Sequence, residues 1–204
     1  EKSVDEEWQA MQEQIELLKL LESSVFIFAD VSGSIQGNAN TSLSKRPQLD
    51  LNEWKKYCQK ITEISNRLDD VGLPISYHEH MGTIIQTEND VDNFLEFTSL
   101  KTHLLFDTGH LFFAKADCEK VLKKYISRIN HIHWKDIRKN ILENSLQNDL
   151  SFRDSFLNGV FTVPGDGCID YKPLIKILYE NKYQNWLIIE AEQNPVNANP
   201  YKYA

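Results

Sequence analysis

The sequence predicts an α/β fold on a parallel sheet, as a (β/α)8 barrel of which about five strands are present in this chain. Three observations lead there. Five short apolar segments alternate with helical ones, joined by connections long enough for parallel crossovers. No G-x-G-x-x-G turn follows the first strand and no G-x-x-x-x-G-K-[ST] occurs, so the usual signs of an open nucleotide-binding sheet are missing. Each strand also ends in residues able to ligate a metal or move protons, as expected where strand ends form one rim.

The elements follow in order. From Val4 to Leu21, Trp8, Met11, Ile15, Leu18 and Leu21 recur at helical spacing among charges, predicting one amphipathic helix. The run SSVFIFAD, 23–30, reads as a buried strand before a loop rich in Ser, Gly and Asn. A long helix is expected over Leu51 to Asp70, with Trp54, Ile61, Ile64 and Leu68 on one stripe and Gly72 as its stop. Pro74 introduces ISYHEHMGT, strand-like up to His80, and the helix near TENDVDNFLEF has Thr87 or Asn89 as its cap. HLLFD is the next strand, DCEKVLKKYI a capped helix, INHIHWKD a strand, CIDYKPLIKILYEN a helix started by Asp170, and NWLIIEAE the last strand.

Composition narrows the function. A chain of 204 residues, 41% hydrophobic and 25% charged, supports one domain over residues 1–204 with a real core. A net charge of −8 and a pI near 5.3 give no basic field, so no nucleic acid is expected as partner. No apolar run of membrane-spanning length and no signal peptide open to view predict a cytoplasmic protein without membrane contact. Cys58, Cys118 and Cys168 are too scattered for a disulfide framework or a cysteine zinc site. Nothing here speaks against a homo-oligomer.

The strand ends carry the chemistry: Asp30 with Ser32; His78, Glu79 and His80; Asp107 with His110; His133 with Lys135 and Asp136; Glu190 with Glu192. In a strand, side chains two apart share a face, which groups His78 with His80, His131 with His133 and Lys135, and Glu190 with Glu192. Carboxylates plus imidazole suit a hard or borderline divalent cation, and Asp107, His133 and one of the last glutamates form a core set. His103 and His131 read as satisfied structural histidines, and Asp107 could also serve as a helix cap. The loop VPGDGCIDYKP, with Gly165 and Gly167 flanking Asp166, is either an ordinary turn or a cover over the rim.

Together YHEHMGT, FDTGHLFFA, HIHWKD, FTVPGDGCIDYKPL and LIIEAEQNPVNANPYKYA resemble the xylose-isomerase-like TIM-barrel superfamily and, within it, the inosose dehydratases of myo-inositol catabolism. The likeness runs from Phe26 to Ala204. It implies a manganese or cobalt ion held from four strand ends, with Asp107, His133 and Glu190 on three of the positions. At the fourth, where the superfamily often has E-x-H-x-G, this chain reads His78, Glu79, His80, so either His78 or a displaced Glu79 is the ligand, and Glu192 competes with Glu190. A full barrel takes about 250 residues, so the resemblance also implies a partial chain holding strands four to eight, a view its first residue, Glu1, supports.

The implied reaction dehydrates 2-keto-myo-inositol, a small cyclitol, to a trihydroxycyclohexane-1,2-dione. Glu190 or Glu192, whichever binds no metal, is the expected base, with His80 or His110 as acid; Lys135 and Asp136 hold substrate hydroxyls or orient His133, and Glu79 is a further substrate contact. Competing readings are a sugar-ketose isomerase or epimerase on the same barrel, a metal-dependent nuclease, which the acidic charge opposes, and an inactive barrel fragment.

Overall fold

The architecture comes from a computed structural model, which describes residues 2–203. Helices α1 (Val4–Ala10) and α2 (Gln12–Leu20) lead to β1 (Phe26–Phe28), α3 (Leu51–Asp70) to β2 (Ile75–His78), α4 (Glu88–Phe97) to β3 (His103–Asp107), and α5 (Thr108–Phe113) with α6 (Cys118–Tyr125) to β4 (Ile129–Trp134). An excursion follows, built of β5 (Asp136–Ile137), α7 (Lys139–Gln147), α8 (Phe152–Leu157) and β6 (Phe161–Thr162). Then come α9 (Tyr171–Glu180), β7 (Leu187–Ile189) and α10 (Pro200–Tyr203).

The main sheet has the order β1-β2-β3-β4-β7 and every pairing in it is parallel. This matches the expected five strands, each reached over a right length of helix and loop. β5 and β6 form a separate antiparallel pair. The sheet is curled: His78 and His133 lie on strands two apart, about 10 Å in a flat sheet, yet their ring centroids are 5.2 Å apart.

The helices cover the outer face. Tyr77, Leu104, Phe106 and Ile132 pack against Trp54, Phe94, Val121 and Leu178 in one apolar layer. Start and stop signals work as their chemistry requires. Asp50 caps α3 in a reciprocal box with Glu53, and Thr87, rather than Asn89, caps α4 with Asp90. Gly72 takes a φ of +80°, the left-handed turn that ends α3.

Several expectations change: the strand expected up to His80 ends at His78, and HLLFD runs straight into α5. The helix predicted over Val4 to Leu21 is divided into two at Met11, where ψ flattens to −9° within the right-handed region while the side chain stays buried beside Ile15 and Phe26. The stretch from Lys139 to Thr162, assigned no element from sequence, holds two helices and a strand. Among the described residues no helix is long and apolar enough to cross a membrane.

Candidate active site

The strands deliver polar groups to one rim. The ring of His78 hydrogen-bonds through Nδ1 to the carbonyl of Glu79. A carbonyl only accepts, so Nδ1 holds the proton and Nε2 turns a bare lone pair toward Asp107 Oδ2, 3.8 Å away. His80 repeats the pattern: Nδ1 donates to the Met81 carbonyl at 2.8 Å, and Nε2 faces Glu192 Oε1 at 3.9 Å.

Asp107 sits at the junction of β3 and α5. Its Oδ1 accepts the backbone N–H groups of Gly109 and His110 at 2.8 and 3.0 Å, while the buried Oδ2 has no hydrogen-bond partner. The capping and ligand readings are therefore both realised, one per oxygen. His133 Nδ1 lies 3.2 Å from Glu190 Oε2 and 3.6 Å from Asp107 Oδ2 but is hydrogen-bonded to neither.

Lys135 joins these groups. Its fully buried Nζ is 3.3 Å from Asp107 Oδ2, 3.2 Å from Glu190 Oε2, 3.1 Å from Glu192 Oε1 and 3.2 Å from His110 Nε2. Gly109 makes room for it, since a Cβ there would lie 2.8 Å from the Lys135 stem. Both glutamates, two apart beyond β7, thus reach the same ammonium, as their shared face suggested.

Among the described residues three sets of facing ligand atoms result, each within 4.8 Å: His78, Asp107 and His110; His80, His110 and Glu192; Asp107, His133 and Glu190. Burial drives His78 well below the usual imidazole range and His80 down to about 3, so both rings are neutral. Burial would raise Asp107 and Glu192, but the neighbouring Lys135 and His110 hold both below the usual carboxylate range. For His133 burial is opposed by Asp107 and Glu190, which lift it to about 9. Burial likewise works against the Lys135 charge, and Asp107, Glu192 and Glu190 outweigh it, keeping the ammonium above the normal lysine range.

Three residues stand elsewhere than expected. Glu79 does not reach the rim; it is buried, and its Oε1 accepts the backbone N–H of Asp107 at 3.3 Å. Strand alternation turns it to the side of Tyr77 rather than that of His78. Asp136 has no oxygen to spare for a substrate: Oδ1 accepts from Ile137 and Ile169, and Oδ2 from Gly165 and Gly167, clamping the glycine loop. His131 is buried as a structural residue would be, yet neither ring nitrogen has a hydrogen-bond partner.

The sequence reasoning missed some neighbours. Thr108 Oγ1 accepts the Lys135 N–H and donates to its carbonyl, both at 3.0 Å, fixing that strand end. Phe152 and Phe161 wall the site, with ring centroids 5.1 Å from His80 and His110 respectively, and Phe161 lies 5.0 Å under the Lys135 ammonium. Thr108 was visible inside DTGH and Phe161 at the head of FTVPGDG, though neither was given a role; Phe152 comes from the unassigned excursion and carried no signal. Beside Glu190 a cavity of about 550 Å3 is lined by Val163, Pro164, Gln193, Pro195 and Ala198.

Comparison with known proteins adds relatives. Residues 1–203 match the family described as xylose isomerase-like TIM barrel. Among curated proteins, the chain is 38% identical over 204 residues to the rhizopine catabolism protein MocC of Rhizobium meliloti, covering 100% of this chain and 63% of that protein. It is 41% identical over 186 residues to the inosose dehydratase of Clostridium tetani, covering 90% and 62%. The chain thus spans less than two thirds of the length of these curated relatives. Among solved structures, the IOLI protein with a binding zinc atom superposes with a TM-score of 0.65 at 17% identity, over 96% of this chain and 61% of that one. The probable 3-DHS dehydratase AsbF from Bacillus anthracis gives 0.67 at 13%, over 91% and 64%.

Proposed function

Because the chain belongs to the xylose isomerase-like TIM barrel family, we propose that its rim is a divalent-metal site that dehydrates 2-keto-myo-inositol to 3D-(3,5/4)-trihydroxycyclohexane-1,2-dione. The inosose dehydratases at 38–41% identity support the substrate and the hydro-lyase chemistry. The observation that carries the metal is the donor set itself. Asp107 Oδ2 is faced by His78 Nε2 in one set and by His133 Nδ1 with Glu190 in another, and buried atoms on Asp107 and His133 are left without hydrogen bonds. The Lys135 ammonium answers the two carboxylates, and a divalent cation would add what the His78 Nε2 lone pair lacks, a positive partner.

His78, Asp107, His133 and Glu190 are the proposed ligands, His78 being preferred to Glu79 because only its free lone pair looks into the rim. A manganese or cobalt ion held there would supply Lewis-acid polarisation of the keto oxygen and so acidify the neighbouring C–H. The zinc atom of the IOLI protein is a further metal to include in any test.

The chain's own groups divide the proton work. Glu192, ionised and not needed as a ligand, takes the proton from the carbon beside the carbonyl. His80 Nε2, a bare acceptor, holds a substrate hydroxyl rather than donating to one. Among the groups around Glu192, Lys135 carries a proton to give: it protonates the departing β-hydroxyl, which leaves as water, and Glu192 returns a proton to it over 3.1 Å. His110 Nε2 lies 3.2 Å from the same ammonium and helps to orient it. Once Asp107 and Glu190 are engaged as ligands they hold that ammonium less tightly, which makes it the better acid.

The test is turnover of 2-keto-myo-inositol by the chelated chain after addition of Mn2+, Co2+ or Zn2+, followed by diketone absorbance. Metal-dependent appearance of the diketone is expected. Conversion to an isomeric ketose without loss of water would replace the dehydratase reading with the isomerase one.

A further inference from the structure

Glu79 is a buried carboxyl group to which the proton chemistry gives no part. It lies between two histidines that face the rim, but strand alternation points it the other way. Its Oε1 accepts the backbone N–H of Asp107, and its Oε2 has no partner. A buried, half-satisfied carboxyl group is a cost to folding, which raises the question of what it contributes.

The ladder supplies the answer. β2 and β3 pair through Ser76 with His103, Tyr77 with Leu104 and His78 with Leu105, and there the register ends. Beyond it β2 ends, the chain loops through Gly82 so that the His80 N–H meets the Ile85 carbonyl, and no further ladder pair joins β2 to β3. The N–H of Asp107, two residues past the last pair, points to the same side as that of Leu105. The Glu79 side chain takes the place of the strand carbonyl that is not there.

That N–H belongs to a residue fixed from other sides too: Asp107 pairs with His133 across β3 and β4, and its Oδ1 is tied to the first turn of α5. With the backbone held by Glu79 and Oδ1 held by the helix, Oδ2 has one direction left, toward His78, His133 and Lys135. We propose that Glu79 is a positioning residue, a side-chain extension of β2 that fixes the backbone of Asp107 so that its free oxygen is aimed into the metal site. The inference rests on the metal reading above for its consequence, and on geometry alone for the contact.

The test separates the two. In the full metal-free chain, amide exchange at Asp107 is followed by NMR for the parent, Glu79→Gln, which keeps an acceptor oxygen, and Glu79→Leu, which removes it at similar volume, with Glu79→Ala as a second acceptor-free replacement. Protection is expected in the parent and Glu79→Gln, with exchange about tenfold faster or more in the acceptor-free variants. Titration with Mn2+ alone should then show affinity within ~3-fold of the parent for Glu79→Gln and about 10-fold or more weaker for Glu79→Leu. A purely structural role would lower thermal stability without this split between Gln and Leu. Unchanged Asp107 exchange in the acceptor-free variants, or equal Mn2+ affinity for Gln and Leu, would overturn the proposal. A parent that takes up no Mn2+ would instead sink the metal reading, and the exchange data would still decide for Glu79.

Discussion

Two buried aspartates at neighbouring strand ends lead opposite lives. At the glycine loop Asp136 accepts backbone N–H groups from Ile137, Gly165, Gly167 and Ile169, and its carboxylate is fully used. At the rim Asp107 spends one oxygen on α5 and leaves the other bare among two histidines and a lysine. The same side chain therefore builds structure where its lone pairs are saturated and is open to chemistry where they are not. Burial does not distinguish the two, since both are fully enclosed.

The sharpest way to break the comparison is to remove the charge at each place. Asp107→Asn should lower kcat/KM by about 10³-fold or more and abolish tight metal uptake, with far-UV dichroism unchanged. Glu192→Gln, folded and metal-loaded, should lose about 10²- to 10³-fold in kcat at unaltered metal content; full turnover would remove Glu192 as the base. Asp136→Ala should behave conversely, costing about 3 kcal/mol in urea unfolding because loop N–H groups lose their acceptor, while Mn2+ affinity stays near the parent value. Gly167→Ala tests the same clamp, as a Cβ there would lie 2.2 Å from Asp136 Oδ1, and stability rather than metal binding should fall.

A smaller effect concerns pH. In the metal-free chain Asp107 and Glu190 lift His133 to about 9, against the effect of burial, so the ring is protonated at neutral pH. A metal must displace that proton, and affinity should rise about tenfold per pH unit from 6 to 8, flattening above 9. Calorimetry in buffers of different ionisation enthalpy would count the proton released; a pH-independent affinity would argue against His133 as ligand.

The legibility of the chain follows the same division. Helices with a strong start signal, such as the Asp50 box and the Asp170 cap, could be read from sequence. α7 could not, because Arg138 at its start makes no side-chain cap, and of α5 only the Asp107 cap was legible, because that residue is also the rim aspartate at the end of β3. At the site, chemistry-bearing types at strand ends named His78, His80, Asp107, His110, His133, Lys135, Glu190 and Glu192, and all of them meet there. Sequence could not tell which lone pairs were already spent. Asp136 looked like Asp107 until its loop was seen folded around it, and Glu79 looked like a ligand until the end of β2 turned it aside.

The most direct test of the central claim, that the under-paired rim is a metal site, is calorimetric titration of the metal-free chain with Mn2+, run beside Asp107→Asn and Asp136→Asn. The account predicts one saturable site, lost in Asp107→Asn and retained in Asp136→Asn. No saturable binding in the parent, or binding that survives Asp107→Asn unchanged, would contradict it.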